Sequence, residues 1–537
     1  MGLAALGHPP GRPPPHGHGR LPPAASRLVA HPRPRPRTAS ARRGTHGRLA
    51  TRGHRLAVPL GRRAHHRRHP RKPLHDDDRT RLRRRPARAR LARGTDPVRA
   101  GRVTVPRGGE RGEAVNTAAG PTGTAAGGTT APAAAHDLSR AGRRLQLTRA
   151  AQWFAGNQGD PYGMILRAGT ADPAPYEEEI RERGPLFHSE LLGTWVTGSR
   201  HVADAVTADD AFGALTADGA RPGVRELPLS GSALDAAHGN PGGPPLPGGW
   251  PHRPPDREER DDPDRHAADL LNAAGPGQVL DLVPFARRLA ARTTGAWLGV
   301  PAERLPRFET ALTGCRRALD ALLCPQLLAD ARAGLAAEEA LRAVLGETPE
   351  ARGRPPGAVE AARAHAVSAA EPIAVLLCNA VRELMERPAQ WRALTADPGL
   401  AGAAITETLL WAPPVRLESR VARETAVLAG RTLPAGTHLV VLAAAANRDA
   451  CRNAGPAVTG FDVLRRASDG GPQPHGLPED LHFRLSGPLV RRTAEAGLRA
   501  LAERFPGLRP AGPAVRVRRS PVLRGLGRLP VAPYVPE

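Results

Sequence analysis

Beyond residue 137 the apolar positions recur every three or four residues for most of the chain, the spacing that places them on one face of an α-helix. In "VLDLVPFARRLAARTTGAWLGVP" the residues Val279, Leu282, Val283, Ala286, Leu289, Ala290 and Trp297 share a face, and Gly299 with Pro301 stops the helix. The stretches "PAERLPRFETALTGCRRALDALLCP", "AEEALRAVLGE" and "AVEAARAHAVSAAEPIAVLLCNAVRELMERPAQWRAL" keep the same period. Pro372 lies inside the last of these. It lacks an N–H and crowds the preceding turn, so an interruption is expected there. The period then shortens. "TAVLAGRTLPAGTHLVVL" predicts two short strands joined by a Gly-Arg turn, then a Pro-Ala-Gly turn and a third extended run. Residues 239–265, "GNPGGPPLPGGWPHRPPDREERDDPDR", fit neither period and read as a long surface loop. The pattern predicts a mainly α fold with a small β part over residues 137–537.

Residues 1–136 differ in kind. They carry 29 of the 77 Lys and Arg residues but 6 of the 52 Asp and Glu, which leaves the rest of the chain close to neutral. Runs such as "GRRAHHRRHPRKP" and "RLRRRPARARLARG" have no apolar period and too few large apolar residues to offset the entropy of ordering. This segment is expected to be a disordered extension. Three explanations stand for it: a nucleic-acid-binding arm, a solvated tail, or translation of sequence upstream of the true start. Lys72 is the single lysine of the chain amid abundant Arg, Pro, Ala and Gly, which suits GC-rich coding DNA, and Val115 would serve as a GTG start.

The remaining composition excludes several classes. Cys315, Cys324, Cys378 and Cys451 have no CxxC spacing, so neither a zinc site nor a disulfide framework is indicated. The longest wholly apolar run, "LVVLAAAA" from Leu439, falls far short of the ~20 residues that span a bilayer. The first thirty residues hold no apolar signal core, so a reduced cytoplasmic protein with no membrane partner is expected. No phosphate loop, Gly-x-Ser-x-Gly elbow or His-Glu-x-x-His helix is found.

Several motifs in colinear order resemble the cytochrome P-450 family over roughly residues 150–537. "NAVRELMERPAQWRALTADPGLAGAAITETLLWAPPVRLESRVARETAVLAGRTLPAGTHLVVLAAAANRDA" is similar to that family's run from its central helix toward the haem-binding segment. "AVTGFDVLRR", with Phe461 and Arg465, resembles its Pro-x-x-Phe-Asp-x-x-Arg meander. "GPLVRRTAEAGLRALAERFPGL" resembles the helix after the haem ligand, with Leu489 and Arg491 at the positions of a Leu-Ala-Arg motif. The resemblance implies a P-450 fold.

It also shows what is gone. The family's iron is held by a cysteine thiolate in a Phe-Gly-x-Gly-x-His-x-Cys-x-Gly loop. Here "RLSGP" alone separates Phe483 from Leu489, with no Cys and no His. The central helix of the family carries Ala-Gly-x-Glu-Thr-Thr for proton delivery, and this chain has "SAAEPI", with Pro372 and Ile373 in place of both hydroxyls. The Glu-x-x-Arg pair is "ETLL", so Glu407 faces Leu410, and Arg448 or Arg465 is expected to pair with Glu407 in its stead. Arg420 stands where the family directs an arginine to a haem propionate. Without haem it is expected in a structural salt bridge. His482 reads as a surface residue and Cys451 as a small buried one. The resemblance therefore implies no catalytic residue, no metal and no haem. The volume a haem would fill is expected to be closed by side chains.

A P-450 scaffold without its ligand resembles the auxiliary proteins of bacterial deoxysugar glycosyltransferases. "RRLQLTRAAQWFAGNQGDPYGMILR" is most similar to anthracycline-pathway members. This implies that the partner is a TDP-deoxysugar glycosyltransferase of anthracycline-type or macrolide biosynthesis. It implies no nucleic-acid partner. Trp153, Phe154 and Tyr162 are the candidate interface, because aromatics concentrate binding energy and this chain has few. The alternative is a degenerate but haem-binding monooxygenase.

Overall fold

The computed structural model describes residues 131–167, 172–214, 216, 262–273, 279–354, 356–453, 460–465 and 486–533. All belong to the unit Ala119–Glu537. The basic segment up to residue 130, Lys72, Val115, His482 and Phe483 lie outside the described residues.

The described helices are α1 (Ala131–Asn157), α2 (Pro161–Arg167), α3 (Ala174–Glu182), α4 (Arg200–Ala208), α5 (Pro263–Ala273), α6 (Leu282–Trp297) and α7 (Leu305–Cys315). They continue with α8 (Ala318–Ala321), α9 (Leu328–Gly346), α10 (Pro356–Met385), α11 (Pro388–Ala396), α12 (Ala401–Trp411), α13 (Ala443–Asn453) and α14 (Gly487–Arg504). α1 thus starts ahead of the expected boundary at residue 137. α5 begins at Pro263, inside the stretch read as a loop; residues 239–261 of that stretch lie outside the described residues.

The axis of the fold is α10. Ile373, Leu376, Leu377, Val381 and Leu384 are at most 1% exposed, and α6, α9, α12 and α14 pack around it. Gly357–Met385 is long and apolar enough to cross a membrane by composition, yet 89% of its most apolar window is buried within the fold. The helix does not break at Pro372, against the expectation from its missing N–H. Packing along its whole length outweighs one lost hydrogen bond, since tertiary burial supplies most helical stability.

The α6 face matches the sequence pattern from Leu282 onward. Asp281 caps the helix by accepting from Val283 N, so Val279 lies ahead of it and is 61% exposed.

A five-stranded sheet runs in the order β1-β2-β8-β5-β3, built from β1 (Phe187–Ser189), β2 (Thr194–Thr197), β3 (Phe212–Gly213), β5 (Leu417–Ala422) and β8 (His438–Leu442). β2 and β8 pair in parallel and the other neighbours antiparallel. β4 (Leu280–Asp281) joins β9 (Arg509–Pro510) and β12 (Pro530–Ala532) in a three-stranded sheet, and β10 (Val515–Arg516) pairs with β11 (Leu526–Arg528). β6 (Ala426–Leu428) and β7 (Arg431–Leu433) form the expected hairpin. Its turn is Ala429-Gly430, with φ of 49° and 73°, not Gly-Arg.

Candidate functional site

The candidate residues fall in two regions: the place between α10 and α14, and the outer surface of α1. At the first, α10 presents the SAAEPI stretch and α14 starts at Gly487 directly after Ser486. The Ser368 and Ser486 hydroxyls are buried and hydrogen-bonded to each other at 3.1 Å. Pro372, Ile373 and Leu410 are buried in the apolar interior. Arg491, at the start of α14, donates to Thr406 Oγ1 on α12 at 3.0 Å.

Glu407 on α12 is 3% exposed and fully engaged. Its Oε1 accepts from Arg465 Nε at 2.6 Å, and its Oε2 from Asp462 N at 3.1 Å and Trp411 Nε1 at 3.2 Å. Burial raises its pKa, and the Asp462 amide and Arg465 oppose that shift. Phe461, beside this network, is buried under the Arg387 guanidinium, 5.3 Å from its ring centroid. Arg448 instead goes to Glu177, which it shares with Arg416 at 2.7 Å. Burial would raise the Glu177 pKa, yet the two guanidinium groups pull it down to about 2. Arg420, 2% exposed, pairs with the buried Glu418 at 3.0 Å.

The four cysteines are free and buried. Burial pushes the thiols of Cys315 and Cys324 up to about 12 and raises those of Cys378 and Cys451 as well, so all four remain protonated at neutral pH. No group of three His, Cys, Asp or Glu residues able to hold a metal occurs among the described residues.

At the second region, Leu147, Trp153 and Phe154 project from α1 with exposures of 64%, 58% and 52%. Tyr162 does not join them. It is 2% exposed, because α2 folds back onto α1 and turns that ring into the core. The close crossing of the two helices explains this: a Cβ on Gly163 would lie 2.6 Å from the Gly156 nitrogen. Beside Trp153 a cleft of about 480 Å3 opens between α1, α2 and the turns at Cys324–Pro325 and Arg519. The sequence gives no sign of it, since Arg519 comes from a part of the chain distant from Arg149 and Arg167 and the three share no motif.

No protein-family model matches the chain. The chain is 36% identical over 443 residues to protein AknT of Streptomyces galilaeus, covering 73% of this chain and 96% of AknT. It is 36% identical to protein DesVIII of Streptomyces venezuelae, over 73% of this chain and 93% of DesVIII. It is 33% identical to the cytochrome P450 family protein EryCII of Saccharopolyspora erythraea, over 74% of this chain and 98% of EryCII. Among solved structures, ligand-free CYP164A2 of Mycobacterium smegmatis superimposes with a TM-score of 0.54 at 26% identity, over 69% of this chain and 99% of that one.

Proposed function

The chain belongs to the cytochrome P450 family, and we propose that it is a non-catalytic member: a soluble, cytoplasmic auxiliary protein that binds and activates a TDP-deoxysugar glycosyltransferase of anthracycline-type or macrolide biosynthesis. The observation that carries this reading is the Ser368–Ser486 hydrogen bond. By the resemblance, the central helix corresponding to α10 would face bound dioxygen, and the iron ligand would precede the helix corresponding to α14. The iron must lie between those two walls. Here buried side chains of the two walls are in hydrogen-bond contact at 3.1 Å, which supports a reading without haem. The sequence from 452 to 537 holds no cysteine to bind iron from that side.

An activator needs no catalytic group. A protein that binds the active conformation of an enzyme more tightly than the inactive one shifts the population by the difference in binding free energy. Exposed Leu147, Trp153 and Phe154 on one helix supply an apolar and aromatic surface for such a contact.

The test is co-expression with a glycosyltransferase of this class, followed by co-purification and assay with and without the chain. Stable co-purification and a gain in transfer are expected, and the double variant Trp153→Ala/Phe154→Ala should lose both while keeping its Tm. Family membership itself favours the alternative of a haem monooxygenase, and an absorbance spectrum separates the two. A stoichiometric Soret band with a CO-difference peak would overturn the non-catalytic reading.

A further inference from the structure

The cleft beside Trp153 gathers three guanidinium groups, those of Arg149, Arg167 and Arg519, and no carboxylate lines it among the described residues. That is unusual in this body. Beyond residue 136 the chain has 48 basic against 46 acidic side chains, and its other arginines are widely paired, as in Arg287 with Glu371 at 2.7 Å and Arg342 with Glu360 at 2.7 Å. Burial lowers the pKa of Arg149, and the nearby charge of Arg519 lowers it further. The Cys324 thiol in the cleft, pushed up to about 12 by burial, adds no negative charge at neutral pH.

The cleft is also braced. Arg167 donates from Nη1 to Asn157 Oδ1 at 2.9 Å, and its guanidinium lies 5.6 Å from the centroid of the Trp153 ring. Gln152 donates from Nε2 to Leu323 O at 2.7 Å and so ties α1 to the turn that forms the opposite wall. Arg519 has φ of 55°, a left-handed conformation costly for a residue with a Cβ, and Arg317 holds that turn by donating to Arg518 O at 2.9 Å and Arg519 O at 3.2 Å. Strain maintained by side-chain braces at a charged cleft points from geometry to a bound group.

We infer that this cleft binds a phosphorylated ring compound of the nucleoside diphosphate class. Guanidinium forks match phosphate oxygens in pairs, and a diphosphate brings enough negative charge to occupy three of them. At about 480 Å3 the cleft is within the range of small-molecule sites and too large for one phosphate. Its indole, with the buried Leu166 and Pro325, provides an apolar wall for a ring. The basic segment 1–136, with 29 basic and 6 acidic residues, is a poor source of an anion to fill the cleft from within the chain. The three arginines point to a diphosphate independently of the glycosyltransferase reading, and only the choice of thymidine as the probe's base rests on that reading. Trp153 serves both, so the arginines carry the test.

Titration calorimetry on the full-length protein at low salt, with thymidine diphosphate, inorganic pyrophosphate and inorganic phosphate as probes, decides the matter. Thymidine diphosphate should bind with one-to-one stoichiometry, more tightly than pyrophosphate, with phosphate weakest. Arg149→Ala and Arg519→Ala should each weaken it by about tenfold, the loss of one charged hydrogen-bonding partner, without moving Tm. Trp153→Ala should bring thymidine diphosphate down to the level of pyrophosphate. The inference falls if folded protein gives no saturable heat with the diphosphates. It also falls if the Arg149→Ala/Arg519→Ala double variant binds as the parent does, which would assign the binding to another basic region. It falls again if a glutamate-rich peptide binds through these arginines and the diphosphates do not, since the cleft would then serve an acidic protein segment.

Discussion

Glu177 and Asp320 are both buried carboxylates at most 1% exposed, and their surroundings push them in opposite directions. Glu177 sits between Arg416 and Arg448, which hold it down at about 2. Its contribution to stability is complete above the ordinary glutamate range and is lost as pH falls toward 2. Glu177→Gln should therefore cost roughly 3 kcal/mol at pH 7, the scale for breaking a buried pair, and the difference from the parent should shrink in melts near pH 2–3. Around Asp320 burial outweighs the Ser520 hydroxyl and the nearby charge of Arg317. Burial raises it to about 6, although Val522 N donates to it at 3.0 Å and Leu523 N at 3.2 Å. The folded state then binds the proton more tightly than the unfolded chain, so stability is greatest below the ordinary aspartate range and declines as pH rises through about 6. Asp320→Asn, which still accepts from both amides, should gain on the parent by up to about 3 kcal/mol between pH 4 and pH 8. A variant that loses ground over that interval would show that the carboxylate is ionised at no penalty. Glu407 is the third case. Its three donors come from Arg465, Asp462 and Trp411, so Glu407→Gln should destabilise by roughly 1–3 kcal/mol, with partner activation falling only as folded protein is lost. Activation lost at unchanged Tm would place Glu407 in the interface instead.

Helices were the most legible level in the sequence, and the reasons for the misses are specific. The period of α6 is plain because Leu282, Val283, Ala286, Leu289 and Ala290 all face one core. Val279 continues that period by spacing alone, but it precedes the Asp281 cap and is not helical. Pro372 signals a break that the packing around α10 overrides. Tyr162 looked like part of an aromatic surface because its distance from Trp153 along the chain is short; what buries it is the crossing of α1 and α2, which depends on two small residues seven apart, Gly156 and Gly163. The crossing is testable against a helix that has room. Gly163→Ala would set a methyl 2.6 Å from backbone nitrogen and should cost roughly 1–3 kcal/mol, with weaker partner capture as α1 shifts. Gly334→Ala, in the middle of α9 with nothing within 4 Å, should stabilise by about 0.5–1 kcal/mol. Equal effects of the two changes would mean that the crossing tolerates a side chain and that α1 is not positioned by it.

At the scale of the whole molecule, the relatives define how much chain the scaffold uses. AknT and EryCII match 73% and 74% of this chain while spending 96% and 98% of their own length. Residues 137–537 are nearly balanced in charge, whereas residues 1–136 hold 29 basic against 6 acidic side chains. The proposed partner surface of Trp153, Phe154 and Leu147 is apolar and would not draw on that basic excess. Removing residues 1–114, so that the chain starts at Val115, is therefore expected to leave Tm and glycosyltransferase activation unchanged. The same deletion should change one property sharply if the segment acts as a nucleic-acid arm. Full-length protein would then bind duplex DNA with an affinity that falls steeply with salt, in proportion to the phosphates it neutralises, and the shortened chain would not. Gel-shift titrations at several salt concentrations, run beside the activation assay, separate the outcomes. Activation lost on truncation, with Tm preserved, would mean that the basic segment takes part in partner recognition and that the α1 surface is not sufficient for it.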